Sequence, residues 1–310
     1  MRTTMMTALA ALTACLIAPA THAAPRADAA AATAKTASAE RRMDHISIVE
    51  MGPERAKGEP VYLIPGLSSP RAVWDGIAPQ LAKARRVVLV QINGFAGDDP
   101  GANLNPGVID GVIADILADA RARGATKPAI IGHSLGGLTA MMIAARHPDR
   151  VGRVMVVDAL PFFGRLFGPG ATPESVKPRA EQMRVMAAGA YARAKAAAAT
   201  PVTTDPGGDL SMTPEGRIRI ANWAMKADMR VVAQAMFEDM TTDIGPELGR
   251  VTARPFTVLY AAGTPGAAQV WEPAYAGTPA TLVAVPGSYH FIMLDQPAFF
   301  TDAVTRFLAE

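Results

Sequence analysis

The chain has 310 residues, of which 50% are hydrophobic and 19% charged. These are the proportions of a folded globular protein rather than a disordered, collagenous or coiled-coil chain. Thirty Lys+Arg against 28 Asp+Glu leave a formal charge of +2, and no basic stripe points to a nucleic-acid partner. The single cysteine, Cys15, excludes an intrachain disulfide and any metal cluster needing two thiolates from this chain. The length admits one or two domains, or one core with an insertion.

Arg2, an apolar run from about Met5 to Ala18, Pro19 and then small residues have the layout of a secretory signal peptide over residues 1–23. The run is shorter than the roughly 20 apolar residues of a membrane span. Thr21-His22-Ala23 suits a cut after Ala23, and Ala18-Pro19-Ala20 offers a second site. The expectation is an exported, periplasmic or secreted chain without cysteine, as suits an oxidising compartment. Leu12-Thr13-Ala14-Cys15 also fits a lipobox, so the alternative is a lipid anchor through Cys15. Residues 24–43 are Ala-rich without apolar periodicity and read as a disordered tether. No other apolar run approaches spanning length.

Beyond the tether, strands are expected at His45–Met51 by alternation, and at Val61–Ile64, Val87–Ile92, Ala129–Ile131, Val154–Val157, Phe256–Tyr260 and Thr281–Val285. Several of these are short continuous apolar runs, as in strands buried on both faces. Between them, Val108, Val112, Ile113, Ile116 and Leu117 share one face of a helix that Asn105-Pro106 starts and Gly124 ends. Leu135–Arg146 and Phe299–Leu308 are further helices. The alternation implies an α/β fold with a mostly parallel sheet covered on both faces. It breaks between Pro161 and Arg250, where Glu181–Ala199 and Arg217–Met240 have helical character around a turn-rich Thr200–Thr213. The organisation expected is a core from residues 44–160 and 251–310, with a helical cap over residues 161–250.

Ile130-Ile131-Gly132-His133-Ser134-Leu135-Gly136-Gly137 is a Gly-x-Ser-x-Gly string with a strand before it and a helix after it. That is the setting of a nucleophile elbow, in which glycines let strand and helix backbones pass closely around a strained, projecting serine. A serine hydroxyl needs a general base, usually His, and a third group to orient that base. Of five histidines, His22 lies in the leader, His45 at an early strand and His147 in a His-Pro turn. His133 precedes the serine with its ring expected to face away, as a packed or hydrogen-bonded core residue. His290, in the loop after the last strand, is the expected base. Two backbone donors should stabilise an oxyanion. Leu135 N–H follows the nucleophile, and Leu67 N–H lies in Pro65-Gly66-Leu67 after the strand Val61–Ile64. Trp74 reads as core or pocket wall.

Gly66-Leu67 with Trp74, Gly132 to Gly137, Arg146 to Val151, and Tyr289-His290-Phe291 with Asp295-Gln296-Pro297 together resemble the capped α/β-hydrolase family, over about residues 44–310. The resemblance implies an eight-stranded, mostly parallel sheet with a lid after strand 6. It also implies a serine hydrolase acting through an acyl-enzyme on a small-molecule ester, lactone or thioester, with no cofactor or metal. Ser134 stands where dehalogenases and epoxide hydrolases of the family carry Asp. Two departures stand out: Pro65-Gly66 replaces the usual His-Gly, and no carboxylate follows strand 7 until Glu272. Asp158, ending strand 6, is the favoured orienting acid, since some members keep theirs there, with Glu272 as the alternative. Asp295 reads as helix-start structure beside Pro297. Phe162 and Phe163 leave the sheet just after Asp158 and are candidates for pocket wall. Met183, Met186, Trp223, Met225, Met229, Met236 and Phe237 in the lid could line an acyl pocket or pack as core. Other chemistries on the same site, carbon–carbon bond hydrolysis or cofactor-free perhydrolysis, and a non-catalytic binding protein are the rival readings.

Overall fold

Burial alternates between two layers along every central strand of the computed structural model: Tyr62 and Ile64 point into one core, Val61 and Leu63 into the other. The structure describes residues 38–53, 56, 58–197 and 200–310. The leader, its cut sites, Cys15 and most of the Ala-rich tether lie outside the described residues.

Among the described residues, eight strands form one sheet: β1 (Arg41–Arg42), β2 (Ile46–Met51), β3 (Val61–Ile64), β4 (Val87–Ile92), β5 (Ala129–His133), β6 (Arg153–Val157), β7 (Phe256–Ala261) and β8 (Thr281–Val285). Their order is β1-β2-β4-β3-β5-β6-β7-β8. β2 runs antiparallel to β4, and every pair from β4 to β8 is parallel. Val88, Val90, Ile130, Val154, Val156, Phe256 and Val258 continue the first layer, while Val87, Leu89, Ile131, Met155, Val157 and Leu259 continue the second. Both faces therefore need covering, which explains why these strands read as apolar runs.

The helices are α1 (Ala78–Leu81), α2 (Val108–Ala122), α3 (Leu135–Arg146), α4 (Pro173–Gly189), α5 (Tyr191–Ala197), α6 (Pro214–Lys226), α7 (Met229–Thr241), α8 (Ala268–Tyr275), α9 (Ile292–Asp295) and α10 (Pro297–Ala309). α2 and α3 cover the first layer; α1 and α10 cover the second, where Trp74 stacks on Phe300 at 6.1 Å between ring centroids. Among the described residues no helix is long and apolar enough to cross a membrane.

Four helices, α4 to α7, lie between β6 and β7 and add no strand to the sheet. Their boundaries differ from expectation for local reasons. α4 starts at Pro173 rather than Glu181, because Thr172 and Ser175 form a reciprocal capping box with Pro in the first turn. The segment expected as one helix over Arg217–Met240 is two, because Asp228 caps a new helix with its carboxylate on Arg230 N–H. α7 packs along α4 and reaches the core helix α2. There the Glu238 carboxylate accepts from the Gly107, Val108 and Ile109 N–H groups, an acid at a helix amino terminus.

Part of the segment expected as tether is structured. β1 pairs Arg41 and Arg42 with Ile48 and Ser47, and Arg41 is held by Asp119. Asp119 is buried in α2 and also accepts from Tyr62 Oη at 2.6 Å and from Arg123 Nε at 2.6 Å. Burial, the larger influence, raises the Tyr62 phenol above its usual value, so it stays a donor. Removing this carboxylate would leave the buried Tyr62 phenol without its partner, while Arg123 keeps Glu50 and the half-exposed Arg41 can turn to water. Asp119→Ala is therefore expected to lower stability by about 1–3 kcal/mol in chemical denaturation, and no measurable loss would contradict this account.

Candidate active site

Three glycines decide how closely the backbones meet at the carboxyl end of β5. A Cβ on Gly132 would lie 2.0 Å from the Gly136 carbonyl oxygen, and one on Gly136 would lie 2.4 Å from Ile64 O. A Cβ on Gly66 would lie 2.9 Å from both Ser134 Cβ and His133 Nδ1. Ser134 sits at the bottom of this crossing with φ 53° and ψ −122°, a conformation that costs a non-glycine residue of order 1–3 kcal/mol and clusters at functional sites. The strain is held in place by backbone bonds: Ser134 N–H donates to Val157 O at 2.9 Å, and Ser134 O accepts from Gly137 and Leu138 N–H at 2.7 and 3.0 Å.

After β3 the chain turns sharply, with Ser69 N–H on Gly66 O at 3.1 Å and Ser68 at φ 55°. This turn sets Gly66, the residue before Leu67, against Ser134. Neither Leu67 N–H nor Leu135 N–H is taken by another backbone carbonyl. Leu135 N–H belongs to the first turn of α3, where the helix dipole is positive.

Asp158 follows β6 at φ 51° and is nearly buried. Its Oδ2 accepts from His290 Nδ1 at 2.6 Å and its Oδ1 from Ala261 N–H at 2.7 Å. Both lone-pair faces are thus used, and the carboxylate is fixed between the ends of β6 and β7. Glu272, the alternative acid, is exposed on α8. The backbone at the end of β7 and in the loop after it makes two ties. Ala261 N–H holds the acid of β6, and Gly263 N–H donates to Ser288 O at 2.9 Å, tying that loop to the one bearing His290. His290 keeps 28% of its side chain accessible, against 9% for Asp158, so the imidazole faces solvent-reachable space while the carboxylate stays behind it. Tyr275 Oη, beside Asp158, donates to Ala159 O. Burial first, and then the Asp158 charge, hold that phenol well above its usual value.

His133 is the buried, hydrogen-bonded core residue expected, and the core it packs in includes the ring of His290. Its ring packs 4.6 Å from His290 and 4.7 Å from Phe291, centroid to centroid, and Nε2 lies 3.0 Å from His290 O. Burial, and secondarily the His290 charge, push the His133 imidazole well below the usual histidine range. It is therefore the neutral ring with Nε2–H donating to the carbonyl. Its Nδ1 is buried without a partner, beside Gly66.

Asp295 is not at the start of a helix but at the end of α9. There it accepts from Tyr289 N–H at 2.8 Å through Oδ2, and from Ser211 Oγ at 2.5 Å and Met212 N–H at 3.0 Å through Oδ1. With Phe291 N–H on Leu210 O at 2.9 Å, this straps the segment before α6 onto the His290 loop. Sequence reasoning missed that contact, since the two segments are about 80 residues apart and nothing local signals it.

Trp74 takes the core half of its expectation: it has no accessible surface, so it cannot line an open pocket. Phe162 is likewise buried, its backbone bridged to Asp243. Phe163 keeps some surface and contacts Phe167 edge-on at 6.0 Å. Met186 is 59% exposed and is not a pocket residue. Trp223 of α6 packs at the edge of the second core layer, 6.3 Å from the ring of Phe291, the residue after His290. Among the described residues no group of three or more His, Cys, Asp or Glu could hold a metal ion.

The sequence pattern of the alpha/beta hydrolase fold matches residues 59–297. Over 119 residues the chain is 34% identical to a pimeloyl-[acyl-carrier protein] methyl ester esterase of Aeromonas hydrophila subsp. hydrophila, covering 38% of this chain and 45% of that protein. It is 35% identical over 121 residues to a pyrethroid hydrolase of Sphingobium wenxiniae, covering 37% and 39%. The matches thus span less than half the length of these curated relatives. Among solved structures, the enol-lactonase from Burkholderia xenovorans LB400 superposes with a TM-score of 0.65 at 22% identity, covering 86% of this chain and 96% of that one. A thermophilic esterase from Thermogutta terrifontis superposes with a TM-score of 0.67 at 20% identity, covering 88% and 98%. Those two likenesses carry the fold.

A buried neutral histidine has a direct pH consequence. Unfolded, His133 takes up a proton below about pH 6.5; folded, it does not, so the unfolded state binds more protons and stability falls as pH falls. The wild type should lose stability relative to His133→Gln between pH 7 and pH 5 in urea denaturation. A difference independent of pH would refute the neutral assignment.

Proposed function

The chain belongs to the alpha/beta hydrolase family, and from that premise we propose that it is a serine hydrolase that cleaves a carboxylic ester, lactone or thioester through an acyl-enzyme. The carrying observation is the 2.6 Å bond between His290 Nδ1 and Asp158 at the end of the sheet where the strained Ser134 projects. With Nδ1–H committed to the carboxylate, His290 Nε2 is left as the basic nitrogen. In this reading Nε2 takes the Ser134 Oγ proton as the oxygen attacks the carbonyl carbon. The negative charge on the carbonyl oxygen is met by Leu67 and Leu135 N–H groups, fixed before the reaction begins. Collapse of the tetrahedral intermediate expels the alcohol, thiol or ring oxygen with a proton from Nε2. Water then repeats the sequence on the acyl-enzyme and frees Ser134.

The names of relatives support this substrate class: a methyl ester esterase, a pyrethroid hydrolase and, by fold, an enol-lactonase. Residues 161–250 act as the cap in this reading. Trp223 lies on its inner side, and the Asp295 strap ties it to the His290 loop.

Two measurements test the proposal. A fluorophosphonate probe should label the wild type and leave Ser134→Ala unlabelled, and a folded wild type that resists the probe would overturn the nucleophile assignment. Asp158→Asn should lower kcat on a p-nitrophenyl ester by about a thousandfold or more, while Glu272→Gln should stay within about twofold of wild type. The reverse pattern would move the orienting role to Glu272.

A further inference from the structure

The loop that carries His290 is tied down on several sides. Ser288 O accepts from Gly263 N–H at 2.9 Å, Tyr289 N–H donates to Asp295 Oδ2 at 2.8 Å, and Phe291 N–H donates to Leu210 O at 2.9 Å. These partners lie after β7, in α9 and in the segment before α6, and none lies on β5, the strand that delivers Ser134. Among the described residues, the hydrogen bond from His133 Nε2–H to His290 O, 3.0 Å long, is the one that joins the loop to that strand. It runs from the residue before the nucleophile to the backbone of the base itself.

The ring that makes this bond is closely confined. It has no accessible surface, and it lies 4.6 Å from the His290 ring and 4.7 Å from the Phe291 ring between centroids. Gly66 of the β3 turn stands on its Nδ1 side, where an added Cβ would come within 2.9 Å of that nitrogen. Nδ1 is buried without a partner. For stability alone the histidine is a poor choice, because the bond gained at Nε2 is offset by a buried acceptor left bare at Nδ1. What the imidazole adds is a fixed link from β5 to His290.

We propose that His133 is a positioning residue for the reaction, holding the His290 backbone at a fixed distance from Ser134 so that His290 Nε2 meets the serine hydroxyl. This rests on the hydrolase reading above and adds to it a residue that acts through His290 rather than on the substrate. The charges agree with the role. On taking the Ser134 proton, His290 becomes a cation packed against His133, and a second cation there would oppose the transfer; burial keeps His133 neutral. A misplacement of about 1 Å can cost about a hundredfold in rate, so the loss of such a link is expected to show in kcat.

The test uses three variants of the full chain and a p-nitrophenyl ester. His133→Phe keeps an aromatic ring and removes the donor, His133→Leu removes both, and His133→Gln keeps an N–H donor of similar reach. His133→Phe and His133→Leu are expected to lose kcat by about tenfold to a hundredfold with KM within about twofold of wild type, and His133→Gln to stay within about threefold of wild-type kcat. The first two exchange a bare Nδ1 for a bare His290 carbonyl, so their thermal midpoints should lie within about 5 °C of wild type. Wild-type kcat in either folded variant overturns the proposal, as does a His133→Gln that falls as far as they do, or a change confined to KM. A kcat loss matched by loss of folded protein in both marks a structural residue and also overturns it. Nitrogen NMR of the histidine-labelled wild type needs no variant: His133 should show a protonated Nε2 and a bare Nδ1, and the opposite tautomer, which cannot donate to His290 O, overturns the link. In all these cases ester hydrolysis stands, whereas a wild type that neither cleaves the ester nor takes the fluorophosphonate probe overturns the hydrolase reading and this role with it.

Discussion

The carboxylate of Asp158 is the joint on which the functional end of the molecule depends. One oxygen holds His290 and the other holds Ala261 N–H, so one side chain ties the end of β6, the end of β7 and the loop after β8. A charged acceptor with both oxygens used has little freedom to rotate, and charge-assisted bonds of this length are among the stronger ones available. The residue itself is held at φ 51°, a conformation the surrounding sheet has to maintain. In the proposed reading the orienting acid thus stands at the end of β6, and β7 supplies its anchor through Ala261 N–H.

Close backbone approach provides the second constraint. Gly66, Gly132 and Gly136 stand where a Cβ would strike neighbouring backbone or Ser134, and this crowding brings the β3 turn and the β5 elbow together. Leu67 N–H follows Gly66 in the β3 turn and Leu135 N–H follows Ser134, and neither has a backbone partner. The replacement of the usual His-Gly by Pro65-Gly66 leaves this intact, since the contact needs a missing Cβ at Gly66 and nothing from the side chain before it. His133 fills the space behind. Neutral and fully buried, it holds the His290 carbonyl and stacks on the ring it supports.

Polar contacts tie the helices between β6 and β7 to the rest of the fold: Glu238 sits on the amino terminus of α2, Asp228 N–H donates to Gly94 O at 2.6 Å, and Asp295 gathers Ser211 and Met212 onto the His290 loop. These polar ties accompany apolar packing, since Met229, Val231, Val232, Met236 and Met240 of α7 belong to the same core as the first layer of the sheet.

The sequence alone determined the sheet and the elbow, because both are written in local patterns. Apolar runs such as Val87–Ile92 mark strands buried on both faces, and Gly132–Gly136 around Ser134 records a steric requirement that only glycines meet. It also narrowed the base to His290 by elimination and put Asp158 ahead of Glu272. Helix breaks were only partly legible: Asp228 and Thr172 are ordinary capping residues whose effect competes with continuous helical patterning nearby. What the tertiary structure decided are the contacts between segments far apart in the chain. These are the anchoring of Asp158 by Ala261 N–H, the contact of His133 with His290, the Asp295 strap, and the packing of Trp74 on Phe300. Asp158 and Trp74 stand out in the sequence, but these partners do not, since a hydrogen bond between residues 100 apart leaves no periodicity; it exists only once the sheet has set the distance.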